Sequence, residues 1–322
     1  RTIDATRHPG VGGNLVLSGK DPFGCATLYV DDKPRIVMEG FEHSGAVSRL
    51  GGTTDGGANG HWVCTDATAT NIFHGTVKTQ YQRLNSLVGT LIFEEGLEFF
   101  GNPSIVNCGA ATFIIGNKPA TGFLQVLDSA ATWVLECEGT DLGLYYQNAL
   151  STLDIRADYG YSSVKDQSEM TLNKGSEKVL LNGHPVRFRN LSTVAGAVIS
   201  SDAPALVYAN QKKHSGANAR VTLNLAGDFA GWAGLSKSGS DVSTVGAVMS
   251  STGVVEVTEG RLEFAATAGW PNATAIRVAA GEDVVEANWP VLAVTTSQKF
   301  KSAALTVVNH GKLEIPSGKR VR

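Results

Sequence analysis

Apolar residues along the chain come in short clusters rather than at helical spacing. Leu91-Ile-Phe93, Ile276-Arg-Val278 and Leu305-Thr-Val307 alternate or group their apolar side chains and are bounded by Gly, Asn or Pro. Short clusters with such borders predict strands. Apolar spacing at three and four residues is almost absent, so the chain reads as all-β. Two stretches depart from the pattern and are expected to be short helices or loops inserted between strands. They are residues 140–150, which carry Leu142, Leu144, Tyr145 and Tyr146, and residues 211–218.

The clusters recur in order. Gly89-Thr-Leu-Ile-Phe-Glu-Glu95-Gly96-Leu97-Glu98-Phe99 is echoed by Gly253-Val-Val-Glu-Val-Thr-Glu259-Gly260-Arg-Leu262-Glu263-Phe264. Upstream of each lie Phe-x-Gly (Phe73-His-Gly75, Phe229-Ala-Gly231) and Gly-Ala-Asn (Gly57-Ala58-Asn59, Gly216-Ala217-Asn218). Gly45-Ala46-Val47-Ser48 and Gly196-Ala197-Val198-Ile-Ser200 extend the match. A shorter rhythm runs through Gly260-Arg-Leu262, Gly281 and Gly311-Lys-Leu313-Glu314-Ile315. Units of roughly 20 to 25 residues indicate a solenoid, in which each short strand pairs with its equivalent one rung on and glycines turn the corners. Gly96, Gly260, Gly281 and Gly311 are the expected corners. At roughly 23 residues per rung, 322 residues make about 14 rungs and a rod of order 65 Å.

Composition narrows the class. With 27 basic against 30 acidic residues the net charge is −3, which gives no electrostatic footprint for nucleic acid. Charged residues are 18% of the chain, below the norm of roughly 25%, which suits turns and strands. No stretch approaches the roughly 20 apolar residues of a spanning helix, so a membrane-embedded chain is not expected. The ends, Arg1-Thr2-Ile3 and Lys319-Arg320-Val321-Arg322, read as those of a mature or cleaved piece of a longer protein. Cys25, Cys64, Cys108 and Cys137 all fall in the first half and form no Cys-x-x-Cys pair. Two structural disulfides, Cys25 with Cys64 and Cys108 with Cys137, are expected in an oxidising extracellular setting; four buried thiols are the alternative.

One region resembles a known family. Phe229-Ala-Gly231-Trp-Ala-Gly234-Leu235-Ser-Lys237-Ser-Gly239, then Gly260-Arg-Leu262, then Pro271-Asn272-Ala273-Thr-Ala-Ile-Arg-Val278-Ala-Ala-Gly281 is similar to the autotransporter-associated β-strand repeat. The likeness is good over residues 226–285, weaker over 70–118 and textural elsewhere. It implies a right-handed parallel β-helix of the kind found in passenger regions of secreted bacterial surface proteins. Val245-Gly-Ala-Val-Met-Ser-Ser251 stands where the family's Tyr-x-Gly-Gly-Thr phrase precedes its last Gly-x-Leu.

Candidate chemistry is sparse. The adjacent carboxylate pairs Asp31-Asp32, Glu94-Glu95 and Glu282-Asp283 point to opposite faces if they lie in strands, so at most one member of each faces a substrate. Glu95 and Glu259 precede corner glycines and read as corner caps. The seven histidines include no metal-binding pair at short spacing, and no metal or cofactor is expected. Asp154, Asp158, Asp166, Glu169, Tyr159, Tyr161, Lys165 and Arg156 form the densest polar segment, where the repeat lapses. Arg187 and Arg189 follow His184-Pro185 and place two cations on one face of an extended segment, able to grip an acidic sugar or sulfate. Asp158, Tyr159, Tyr161, Arg187 and Arg189 are therefore the expected glycan contacts. Trp62, Trp133, Trp232, Trp270 and Trp289 are either corner packing or a carbohydrate platform.

The expectation is a right-handed parallel β-helix with two related halves, residues 1–160 and 191–322, around an irregular segment 161–190. A β-sandwich is the competing architecture. The expected function is an extracellular or cell-surface structural or adhesive module whose partners are its own copies or surface glycans and proteins, with end-to-end assembly into fibres. A glycan-binding or glycan-degrading β-helix protein, of the lyase or glycosidase kind, is the alternative.

Overall fold

Each apolar cluster forms a strand that pairs in parallel with the equivalent strand of a neighbouring turn. The structure, a computed structural model, describes residues 14–30, 35–49, 61–80, 83–100, 104–106, 110–118, 120–126, 130–138, 142–146, 152–158, 169–210, 224–265, 267–298, 300–301 and 304–322. The chain divides into two compact units, Arg1–Ala157 with Tyr161–Gln167, and Asp158–Gly160 with Ser168–Arg322. Both are parallel β-helices. Among the described residues there is no α-helix, only a 3₁₀ turn at Glu286–Asn288, and no helix is long and apolar enough to cross a membrane. Residues 142–146, expected as helix or loop, are a strand paired with Ala120–Val126. Their alternation fits a strand edge better than a helical face. Residues 211–218 lie outside the described residues.

In the first unit, strands Thr70–Phe73, Thr90–Phe93, Thr112–Ile115, Thr132–Leu135 and Thr152–Ile155 stack one above another without slip. Their first residues form a threonine column on the outer wall, because register is kept and every second side chain points the same way. Their second and fourth residues fill the core. Leu91, Phe113, Trp133 and Leu153 make one inner column, and Phe73, Phe93, Ile115, Leu135 and Ile155 the other, each side chain at most 2% exposed. Phe73 stacks on Phe93 at 5.2 Å, and Phe113 on Trp133 at 4.3 Å. The one polar residue of the first column, Asn71, is fully buried and accepts a hydrogen bond from Phe41 N at 2.9 Å. A second sheet, from Leu28–Val30 through Val47–Arg49, Val77–Gln80 and Leu97–Phe100 to Ala120–Val126, forms another wall.

The second unit repeats the plan with two sheets. One runs through Lys178–Leu180, Val198–Asn210, Asp228–Ser238, Val255–Val257, Ala275–Ala279 and Ala304–Val308. The other runs from Glu169–Leu172 through Asn190–Thr193, Asn224–Leu225, Val242–Val245, Arg261–Phe264 and Val291–Val294 to Lys312–Glu314. The buried Glu177 carboxylate accepts backbone N–H bonds from Asn173, Lys174, Gly175 and Ser176 at 2.7 to 3.1 Å and so holds the turn between two strands.

The paired phrases of the sequence occupy the same junction in both units. Gly96 (φ 100°) and Gly260 (φ 66°) take left-handed conformations between a wall strand and Leu97–Phe100 or Arg261–Phe264. Such conformations suit glycine. Gly311 turns the corner before Lys312–Glu314, where a Cβ would strike the Val278 carbonyl. Gly281 does not have a positive φ, and a Cβ there would make only an ordinary contact, 3.5 Å from Val284 Cγ2, so its corner imposes no glycine. Glu259 caps its corner, with one carboxylate oxygen accepting from Gly239 N at 3.1 Å and the other from Asn288 Nδ2 at 3.1 Å. Glu95 pairs with Lys118.

The expected disulfides require correction. Cys25, Cys64 and Cys137 are all free thiols, and Cys108 lies outside the described residues. Cys25 is exposed while Cys64 is fully buried, donating its thiol to Asp66 O at 3.5 Å. One points out of the coil and the other into it, so closeness in rungs does not bring the sulfurs within bonding distance.

Candidate functional site

The second unit carries a groove on its outer wall, created by a slip between its two longest strands. Val198–Asn210 and Asp228–Ser238 pair Ser201 with Gly231 and next Ala205 with Ala233. Asp202, Ala203 and Pro204 thus oppose Trp232 alone, a bulge of the kind that re-aims side chains. Pro204 has no N–H to give a ladder and is tolerated at a bulge. Ser201 Oγ pins the loop, donating to Ala203 O at 2.6 Å and accepting from Gly183 N at 2.9 Å. Gly231 completes the bend at φ 63°, where a Cβ would strike the Ser201 carbonyl.

The bulge turns Trp232 outward, leaving it 44% exposed, whereas Trp62, Trp133 and Trp270 are at most 2% exposed and belong to the core. Trp289 stacks on His310 at 4.2 Å instead. Beyond the bulge Leu206 aligns with Gly234 and Tyr208 with Ser236. Gly234 and Gly253 are buried positions where a Cβ would meet backbone of the adjoining rung. Next to this close backbone packing lies a cleft of about 420 Å³ bordered by Pro185, Pro204, Leu206, Tyr208, Trp232 and Val254. That volume lies in the range of about 300–1,000 Å³ typical of small-ligand sites.

One cation guards the rim. The Arg187 guanidinium lies 4.3 Å from the centre of the Tyr208 ring, a cation–π contact. Arg187 is exposed and has no carboxylate partner among the described residues. The expected pairing of Arg187 with Arg189 on one face fails. Strand Val186–Phe188 ends before Arg189, and the chain bends there, leaving Arg189 only 9% exposed. Asp158 is exposed and meets His184 Nδ1 at 3.1 Å, next to Pro185 of the groove wall. Tyr159, Tyr161, Lys165 and Asp166 lie outside the described residues. Asp154 is bound by Arg156, which also reaches Glu136.

The groove's lining is apolar and aromatic with no charged residue, and Arg187 reaches it only over the Tyr208 ring. General acid–base hydrolysis of a glycosidic bond needs two facing carboxylates, and the lining supplies neither. Among the described residues no group of three His, Cys, Asp or Glu is placed to hold a metal ion. Sequence reasoning reached Arg187 through its neighbours but missed Tyr208, Leu206 and Pro204. The signal was present in the Asp202-Ala-Pro204 stretch, three residues that oppose Trp232 alone on the facing strand. No known family, curated protein or solved structure matches the chain.

Proposed function

We propose that this chain is a non-enzymatic structural and adhesive solenoid module, working outside the cell or at its surface, and that the groove binds an acidic glycan. The observation that carries the reading is that the exposed Trp232 and Tyr208 line one cleft, with the Arg187 guanidinium over the Tyr208 ring. A pyranose ring offers C–H edges that pack on an aromatic face, and a uronate or sulfate group finds its partner in Arg187. The regular walls act as scaffold: register-locked parallel strands hold the aromatic pair rigid, which lowers the ordering cost of binding. The resemblance to the autotransporter-associated repeat supports the surface location.

Titration calorimetry with acidic oligosaccharides such as oligouronates, alongside neutral ones, tests this. Wild type should prefer the acidic series. Trp232→Ala should lose about tenfold in affinity, matching about 1.4 kcal/mol for one stacking contact. Arg187→Ala should erase the preference for acid while keeping weak neutral binding. Equal affinity of wild type and Trp232→Ala would remove the groove from the reading. Turnover of a polysaccharide that vanishes in Asp158→Ala and Arg187→Ala would replace it with a glycan-degrading enzyme.

A further inference from the structure

The groove crosses five neighbouring strands of the second unit. Pro185 precedes Val186–Phe188, Leu206 and Tyr208 lie in Val198–Asn210, Trp232 lies in Asp228–Ser238, Val254 precedes Val255–Val257, and Thr274 precedes Ala275–Ala279. Four steps between strands, at about 4.8 Å each, give it a length of about 19 Å along the coil axis. One register column borders it. Arg187 pairs with Tyr208, Tyr208 with Ser236, Ser236 with Glu256 and Glu256 with Arg277. Their sequence neighbours Val186, Val207, Leu235, Val255 and Ile276 are buried, so by alternation the whole column faces outward, on the side of the wall that carries the groove. Read along the axis, the column is cation, aromatic, hydroxyl, anion, cation. Arg187 and Arg277 are exposed, and neither they nor Glu256 have an ion-pair partner among the described residues.

A single acidic sugar reaches Arg187 and Tyr208 but not Arg277, four rungs away. We propose that the groove takes an extended acidic heteropolysaccharide running along the coil axis, with acid groups on Arg187 and Arg277 and a neutral sugar facing Glu256. This rests on the glycan reading and adds the footprint and charge pattern of the ligand. One rung is close to the advance of one sugar in an extended chain, so sugars and rungs keep step across the footprint. In a homopolyuronate every sugar brings an acid group, and one of them meets the Glu256 carboxylate. A chain that alternates acidic with neutral sugars brings acid groups to the first, third and fifth positions and leaves the fourth, at Glu256, neutral. Ser236, at the third, carries no charge to oppose it. Glu256 therefore selects by repulsion, an element set against the wrong ligand rather than for the right one.

Titration calorimetry on the full chain tests this with the disaccharide and hexasaccharide of hyaluronan, which alternates uronate with a neutral amino sugar, and with the digalacturonate and hexagalacturonate of a homopolymer. Wild type should bind the hyaluronan hexasaccharide more tightly than either the hyaluronan disaccharide or the hexagalacturonate. Arg277→Ala should lower affinity for the hyaluronan hexasaccharide about fivefold, the upper range for an exposed ion pair, and leave the disaccharide unaffected. Glu256→Gln should raise hexagalacturonate affinity by a similar factor and leave the hyaluronan hexasaccharide unchanged. Equal affinity for the two hyaluronan lengths, an Arg277→Ala variant that loses nothing or loses equally with both, or a Glu256→Gln variant with the wild-type preference would overturn the inference while the glycan reading stands. A wild type that binds none of the four, or binds them no better than Trp232→Ala does, would overturn that reading and this inference with it.

Discussion

Lys237 gives the sharpest energetic test of the solenoid interior. Its side chain is fully buried, and its ammonium donates to Gly239 O at 2.5 Å and Glu259 O at 2.7 Å. Burial, which penalises the charged form, pulls its pKa down from 10.5 to about 8, while the Glu259 and Asp241 charges oppose the fall. Between pH 8 and 10.5 the unfolded chain therefore holds a proton that the folded chain has released. Stability rises with pH wherever the unfolded state binds more protons. The gap of about 2.5 pH units, at about 1.36 kcal/mol each, amounts to about 3 kcal/mol gained across that window. Other lysines and tyrosines titrate there too, so the quantity to measure is a difference between wild type and Lys237→Met. Methionine replaces the unbranched stem and removes the charged end. Urea unfolding followed by tryptophan fluorescence, repeated from pH 7 to 11, supplies both curves. Wild type should gain on the variant by about 3 kcal/mol between pH 8 and 10.5. A constant difference across the range would mean that Lys237 titrates normally, and the reasoning from its burial would fail.

Two further outcomes follow from polar groups that tie rungs together. His74 bridges Glu94 at 2.7 Å and Glu42 at 3.1 Å, and those contacts raise its pKa above 6.5 against a smaller opposing effect of burial. Its stabilising contribution is complete below pH 6.5 and is lost as pH climbs through the raised folded value. The side chain is 32% exposed, so the contribution is small, about 0.2–1 kcal/mol as for other exposed pairs. Titration of the His74 ring by nuclear magnetic resonance should show a lower midpoint in Glu94→Gln than in wild type; coincident midpoints would contradict the bridge. Glu177→Gln puts an NH₂ group against backbone donors that now share two carboxylate oxygens. It should cost about 1–3 kcal/mol and speed amide exchange at Lys174, Gly175 and Ser176, and unchanged exchange at those three amides would show that the carboxylate does not hold the turn.

Much of the wall was legible because a strand's side-chain period is two. Alternation in Leu91-Ile-Phe93 and Ile276-Arg-Val278 marks which residues face inward, and the parallel β-helix follows from repeating that alternation at a steady interval. The threonines at 70, 90, 112, 132 and 152 keep the steadiest interval of all. They stand out only once register shows that each begins a wall strand. Glu95-Gly96 and Glu259-Gly260 were readable as corners because left-handed φ favours glycine wherever the fold places it.

The groove, the thiols and the part-exposure of Leu305 and Val307 were decided by tertiary structure. Five tryptophans look alike in sequence, but a slip of register between Ser201 and Ala205 turned one of them outward. Cysteine spacing measures distance along the coil and says nothing of which side of the wall a thiol takes, so Cys25 and Cys64 parted. Leu305-Thr-Val307 reads as core by the same alternation as Ile276-Arg-Val278, yet its side chains remain part-exposed. Alternation is a property of one strand, whereas burial depends on what packs against it, and that neighbour comes from a distant part of the chain.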